Sequence, residues 1–171
     1  MGQLFGTISA SVDEKGRIPI PSALRKNISR DAQKKFVIVR GTEGSLFAYP
    51  KDEWLNFWSG LKRLTPTVEN TLFLRRIMDS LKESVLDGQG RIMLSPSLKN
   101  LGGIKKEVMI VGMGERLEIW DVESYQRRMK DAAARGEQVI TYLERHQTLL
   151  LERKEMEKAR LIQPAIAGQK P

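Results

Sequence analysis

Two copies of one short pattern hold the residues best suited to chemistry. Residues 12–21 read VDEKGRIPIP and residues 85–94 read VLDGQGRIML, so Asp-x-x-Gly-Arg-Ile begins at Asp13 and again at Asp87. Glu14-Lys15-Gly16, between Asp13 and Arg17, has the form of a three-residue hairpin turn: two residues near helical angles, then a left-handed glycine. Gly16 and Gly90 hold the place that glycine fills at least cost. Across such a turn Asp13 faces Arg17 and Asp87 faces Arg91. Each carboxylate can then take the turn's backbone N–H groups or steady the guanidinium. A guanidinium held this way can grip a phosphate, or read guanine in the major groove through two parallel hydrogen bonds. Lys15, at the tip, would add a phosphate contact. In the second corner Gly88 and Gln89 replace Glu14 and Lys15. Gln89 still offers a hydrogen bond to phosphate or adenine, without the charge, so the two corners are expected to be unequal. An isolated corner of this kind would read first as an ordinary salt-bridged surface turn. Its duplication favours a function.

The elements around the corners are duplicated too. Asp13, Gly16, Arg17, Ile18 and Leu24 match Asp87, Gly90, Arg91, Ile92 and Leu98, with Arg25 matching Lys99, all at an offset of 74. From Lys34 and Lys105 the offset is 71; it aligns Val37 with Val108, Leu46 with Leu117, and Tyr49 and Trp54 with Trp120 and Tyr125. Two copies are too few for a solenoid, so they should be halves of one pseudo-symmetric α+β domain.

In each half a strand (Leu4 to Val12; Leu81 to Leu86) runs into the corner and a second (Arg17 to Ile20; Arg91 to Leu94) leaves it. Pro19 and Pro21 donate no ladder hydrogen bonds, so the first exit strand is an edge or ends early. A brief helix follows; Ser95 is its N-cap in the second half, Pro96 its first residue, and Gly102 or Gly103 its stop. The β-branched and aromatic runs FVIVRG/SLFAYP and EVMIVGM/RLEIWD predict a hairpin in each half. The first half closes with KDEWLNFWSGLKRL, which places Trp54, Phe57, Trp58, Leu61 and Leu64 on one helical face, as core or as a face buried between subunits. Its acidic start (Asp52, Glu53) and basic end (Lys62, Arg63) suit the helix dipole. TVENTLFLRRIMDSL repeats the pattern with Val68, Leu72, Ile77 and Leu81. The second half's helix starts near Val122. The expected divisions are 1–80 and 81–135 for the repeats, 136–163 for a C-terminal helical extension and 164–171 for a flexible tail.

The 171 residues carry a formal net charge of +8, which favours an anionic partner: DNA, RNA or an acidic membrane surface. There is no cysteine, so disulfides, thiolate metal sites and cysteine nucleophiles are excluded. No signal-like N-terminus or membrane-length apolar run is present, pointing to a cytoplasmic protein. Nothing composes an enzyme site. The single histidine, His146, sits on the charged late helix without metal-ligand companions, and there is no G-x-S-x-G elbow, P-loop or dinucleotide fingerprint. No cofactor, metal or small-molecule substrate is expected. A rival reading is an interaction module using the C-terminal helix.

DEKGRIPIPSALR, DGQGRIMLSPSL and KKEVMIVGMGERLEIWD together resemble the MraZ family, bacterial regulators related to the SpoVT-AbrB swapped-hairpin proteins, over about residues 1–130. The resemblance implies two pseudo-symmetric swapped-hairpin β-α units and a closed ring of subunits. It implies transcriptional regulation through short direct repeats upstream of the cell division and cell wall operon, hence double-stranded DNA as partner and association with the nucleoid. On this resemblance the DNA contacts fall on Lys15, Arg17 and Arg91, with Gln89 as the altered fourth position. Asp13, Gly16, Asp87 and Gly90 support the turns. An AbrB-like antitoxin is the alternative within the wider group, and the folded second repeat speaks against it.

Overall fold

The computed structural model describes residues 3–135 and 156. Along the chain run β1 (Leu4–Ser11), β2 (Arg17–Pro19), α1 (Ser22–Arg25), β3 (Lys35–Arg40), β4 (Leu46–Pro50), α2 (Lys51–Leu61), α3 (Val68–Ser80), β5 (Lys82–Val85), β6 (Arg91–Met93), α4 (Pro96–Leu101), β7 (Glu107–Gly114), β8 (Leu117–Asp121) and α5 (Val122–Ala134). The chain is thus mixed α+β. Residues up to Arg127 form one compact unit, and the described residues from Arg128 onward belong to a second.

Six strands form an antiparallel sheet in the order β1-β7-β8-β4-β3-β5, and β2 pairs with β6 as a separate ribbon. The two hairpins predicted from β-branched and aromatic runs are β3–β4 and β7–β8. Exchanging each strand for its sequence counterpart (β1 with β5, β3 with β7, β4 with β8) turns the sheet order into its own reverse. The loop bonds are similar to within one residue: Val12 N donates to Lys106 O at 2.8 Å, and Leu86 N to Lys34 O, neighbour of the Lys106 counterpart Lys35, at 2.8 Å.

The expected pairing of the entry and exit strands of each corner is corrected by this topology. β1 leaves the first corner to pair with β7, and β2 leaves it to pair with β6. Only the turn itself is closed. The physical reason lies in the core. Pro19 sits at a place of the ribbon that needs no donor, since Ile20 N donates to Gly90 O and Leu94 N to Gly16 O, both at 2.8 Å; Arg17 lies opposite Met93, Ile18 opposite Ile92 and Pro19 opposite Arg91. The isoleucine pair at the ribbon's centre is fully buried. It joins Ile20, Leu24, Leu94, Leu98, Leu46, Ala48, Leu117 and Ile119 in one core drawn from both halves. Burying a side chain of this size contributes about 1.5–3 kcal/mol.

The helices need two further corrections. α2 ends at Leu61 with Lys62 as C-cap, so Lys62 and Arg63 lie beyond its last turn. Its predicted apolar face divides: Trp54 is buried, Trp58 packs partly on a second cluster with Val37, Val39 and Tyr49, and Phe57 and Leu64 are exposed. Of the residues predicted on the matching face of α3, only Ile77, with the C-cap Leu81, reaches that cluster, whereas Val68 and Leu72 are 81% and 54% exposed. The helix meets the sheet at its C-terminal end, where Ser80 Oγ accepts from Arg40 N at 3.0 Å, so its first turns stand clear. Ser95 caps α4 as expected, accepting from Leu98 N at 3.3 Å. The predicted extension 136–163, apart from Met156, the tail 164–171 and His146 lie outside the described residues.

Candidate nucleic-acid interface

Each corner is built around one aspartate. In the first, Asp13 O accepts from Gly16 N at 2.8 Å and Asp13 N donates to Arg17 O at 2.9 Å, closing the turn. Asp13 Oδ1 accepts from Lys15 N (3.0 Å) and Arg17 N (2.8 Å), and Oδ2 from Arg17 Nε (2.7 Å). The second corner repeats the set: Asp87 Oδ1 accepts from Gln89 N and Arg91 N, both at 2.9 Å, and Oδ2 from Arg91 Nε at 2.9 Å. Gly16 and Gly90 take φ of +80° and +77°, the left-handed values that let two turn N–H groups converge on one carboxylate. Bonding to the ionised form holds both carboxyls below their ordinary range, the Arg17 backbone N–H being the largest influence on Asp13 and the Arg91 backbone N–H on Asp87.

The sequence presents two separate corners; the structure joins them. Because β2 and β6 pair, Arg91 Nη1 lies 3.6 Å from Asp13 Oδ2, and Arg17 Nη1 lies 4.0 Å from Asp87 Oδ2. Each arginine thus has its own carboxylate and faces the other's, giving a two-plus-two ion cluster. The side chains of Arg17 and Arg91 are 28% and 23% exposed, whereas Lys15 and Gln89 stand exposed at the two tips. The cluster is electrically balanced. It fixes the guanidiniums in place and leaves net positive charge to the lysines around it. All eight residues singled out in the sequence, Asp13, Lys15, Gly16, Arg17, Asp87, Gln89, Gly90 and Arg91, therefore belong to one surface feature.

Two more cations belong to this region. A Cβ on Gly90 would stand 2.5 Å from Arg25 Nη1, so the Arg25 guanidinium lies directly over the second corner. On the other side a Cβ on Gly16 would stand 2.7 Å from Leu94 O and 3.8 Å from Lys99 Cδ. Arg25 and Lys99 are sequence counterparts, and each reaches the glycine of the opposite half. Their shared spacing of eight residues after Arg17 and Arg91 was the available signal; their crossing over was not visible without the ribbon register. Lys15, Lys99 and Lys105 line one cleft beside the first corner, with Lys105 tied to Glu123 at 2.7 Å. Among the described residues no group of acidic, histidine or cysteine side chains could hold a metal ion.

A profile of the MraZ protein family, described as antitoxin-like, matches residues 4–76 and 81–141, each match containing one corner. The chain belongs to the MraZ family. Proteins named "Transcriptional regulator MraZ" resemble it over most of their length. That of Caldicellulosiruptor saccharolyticus is 34% identical over 142 residues, covering 82% of this chain and 96% of the relative. That of Lactobacillus delbrueckii subsp. bulgaricus is 38% identical over 129 residues (75% and 87%). That of Paraburkholderia phytofirmans is 32% identical over 131 residues (77% and 91%). MraZ membership thus spans both halves of the sheet and both corners. Among the described residues no helix is long and apolar enough to cross a membrane.

Proposed function

We propose that this chain is a sequence-specific DNA-binding transcriptional regulator. In this reading it recognises short direct repeats upstream of a cell division and cell wall gene cluster, acting in the cytoplasm at the nucleoid. The observation that carries the reading is the convergence of the two D-x-x-G-R corners on one ribbon. Arg17 and Arg91 arrive in fixed orientation, and Lys15 and Gln89 project at the tips. A guanidinium already held by carboxylates loses little freedom on meeting a base edge, so it discriminates well. Lys15 supplies phosphate attraction, Gln89 a neutral hydrogen bond, and Asp13, Gly16, Asp87 and Gly90 keep the turns in shape. The relatives' printed name supports the regulatory role.

The same reading takes the chain as two swapped-hairpin units, residues 1–80 and 81–135, repeated around a closed homo-oligomeric ring. Head-to-tail ring closure needs two different patches per subunit. Leu55, Leu64, Val68, Leu72 and Phe73 offer one exposed apolar set on α2, α3 and their connection. Phe5 and Met113, opposite each other on β1 and β7, offer another. Several subunits on neighbouring repeats would raise affinity through effective concentration. No cofactor takes part.

The test is binding of the full chain to a duplex from upstream of its own gene, against a scrambled duplex. Binding should be selective and fall steeply with salt. Equal affinity for both duplexes would remove the sequence-specific reading.

A further inference from the structure

The two halves differ most just after their short helices. Ten positions separate Leu24 from Lys34, but only seven separate Leu98 from Lys105, so the first half carries a three-residue insertion. That insertion lies beside a cleft whose counterpart in the second half, lined by Lys99, Ile104 and Lys105, has Lys105 tied to Glu123. Arg25, Arg30 and Lys34 line the first-half cleft together with Ile28 and Leu86.

Three observations converge there. Among the described residues none of the three cations has an ion pair, and Arg25 Nε is buried without a hydrogen-bond partner. An unpaired buried guanidinium donor is costly and invites an acceptor. Gln33 and Lys34 are consecutive non-glycine residues at φ of +51° and +57°, whereas the second half uses Gly103 at +59° in the corresponding loop. The Lys34 backbone is tied beside the cleft's apolar wall by its carbonyl, which accepts from Leu86 N at 2.8 Å, and its side chain is exposed. The nearby hydroxyl of Ser29 is already engaged with Asp52 at 2.5 Å, and Asp52 does not line the cleft.

We propose that this cleft is a phosphate-binding site. Three unpaired cations suit a dianionic phosphate, and Ile28 with Leu86 suits an apolar group attached to it. The phosphate has two possible sources, a phosphorylated small molecule or the backbone of a bound duplex, since Arg25 also covers the second corner.

The probe is phenyl phosphate, titrated calorimetrically into the full chain, with benzyl alcohol as the uncharged control. Saturable binding of phenyl phosphate alone is expected, weakened tenfold or more in Arg30→Gln/Lys34→Gln. Arg25→Met keeps bulk over Gly90, removes the charge and should weaken it too. The same variants are then tested on the upstream duplex over a salt series. A salt slope reduced by about 0.9 per lost contact, with phenyl phosphate competing against the duplex, assigns the site to backbone phosphate. An unchanged slope with phenyl phosphate binding retained in the parent chain assigns it to a small molecule. Phenyl phosphate binding equally to parent and variants, or not at all, together with unchanged salt slopes, overturns the proposal. Arg17→Ala separates this from the DNA reading, because it should lose duplex affinity yet keep phenyl phosphate.

Discussion

Asp13 holds three N–H groups with one carboxylate, and Asp87 does the same across the ribbon. Their folded-state pKa values are lowered. A lowered carboxylate stabilises the fold above its unfolded pKa, and that contribution is lost as pH falls through the folded value. The advantage of the parent chain over Asp13→Asn/Asp87→Asn in thermal melting should therefore be full at neutral pH and shrink below about pH 4. A gap that widens on acidification would mean the carboxylates are not ion-paired as described. Gly16 was legible from spacing alone, since only the third place of the turn demands a positive φ. Its second constraint was not, because Leu94 O comes from the far half of the chain. Gly16→Ala should cost at least about 1 kcal/mol from backbone conformation, read as a lower melting temperature, with Gly88→Ala, which meets open space, as the mild control.

At the level of elements, local signals were readable and long-range pairing was not. The β3–β4 and β7–β8 hairpins announce themselves through β-branched runs bounded by glycine, and α4 through Ser95 and Pro96. The division of each corner's strands between a large sheet and the β2–β6 ribbon depends on partners far apart in the chain, such as Ser11 with Glu107 and Ile18 with Ile92, which no local pattern specifies. Likewise the helical spacing of Val68 and Leu72 is genuine, but α3 meets the sheet only through its last turns. The ribbon is the element that holds the two corners together. Ile92→Ala removes its buried centre and should cost about 2–5 kcal/mol. Denaturant melts should show a lower midpoint with unchanged slope; a loss below 1 kcal/mol would mean the ribbon contributes little to the fold.

For the whole molecule, the sequence's charge of +8 and duplicated corners were enough to suggest an anionic partner, and the family match agrees with the resemblance read from the motifs. What the sequence left separate, the fold combines: two unequal corners become one balanced ion cluster edged by further cations. The exposed apolar residues of α3 carry the prediction for assembly. If α3 builds the proposed ring, Leu72→Glu, at a half-exposed position, should leave the melting of the subunit nearly intact while shifting native mass spectra to smaller species than those of the parent chain. The central claim, that the paired corners read DNA, is tested most directly by fluorescence-anisotropy titration of the upstream duplex with the parent chain, Arg17→Ala and Arg91→Ala. Loss of a guanidinium that reads a base should weaken binding by about 1–3 kcal/mol, roughly 5- to 150-fold. Arg91→Ala should cost no more than Arg17→Ala, in chains that still melt cooperatively. Parent-like affinity in a folded Arg17→Ala chain would contradict the account.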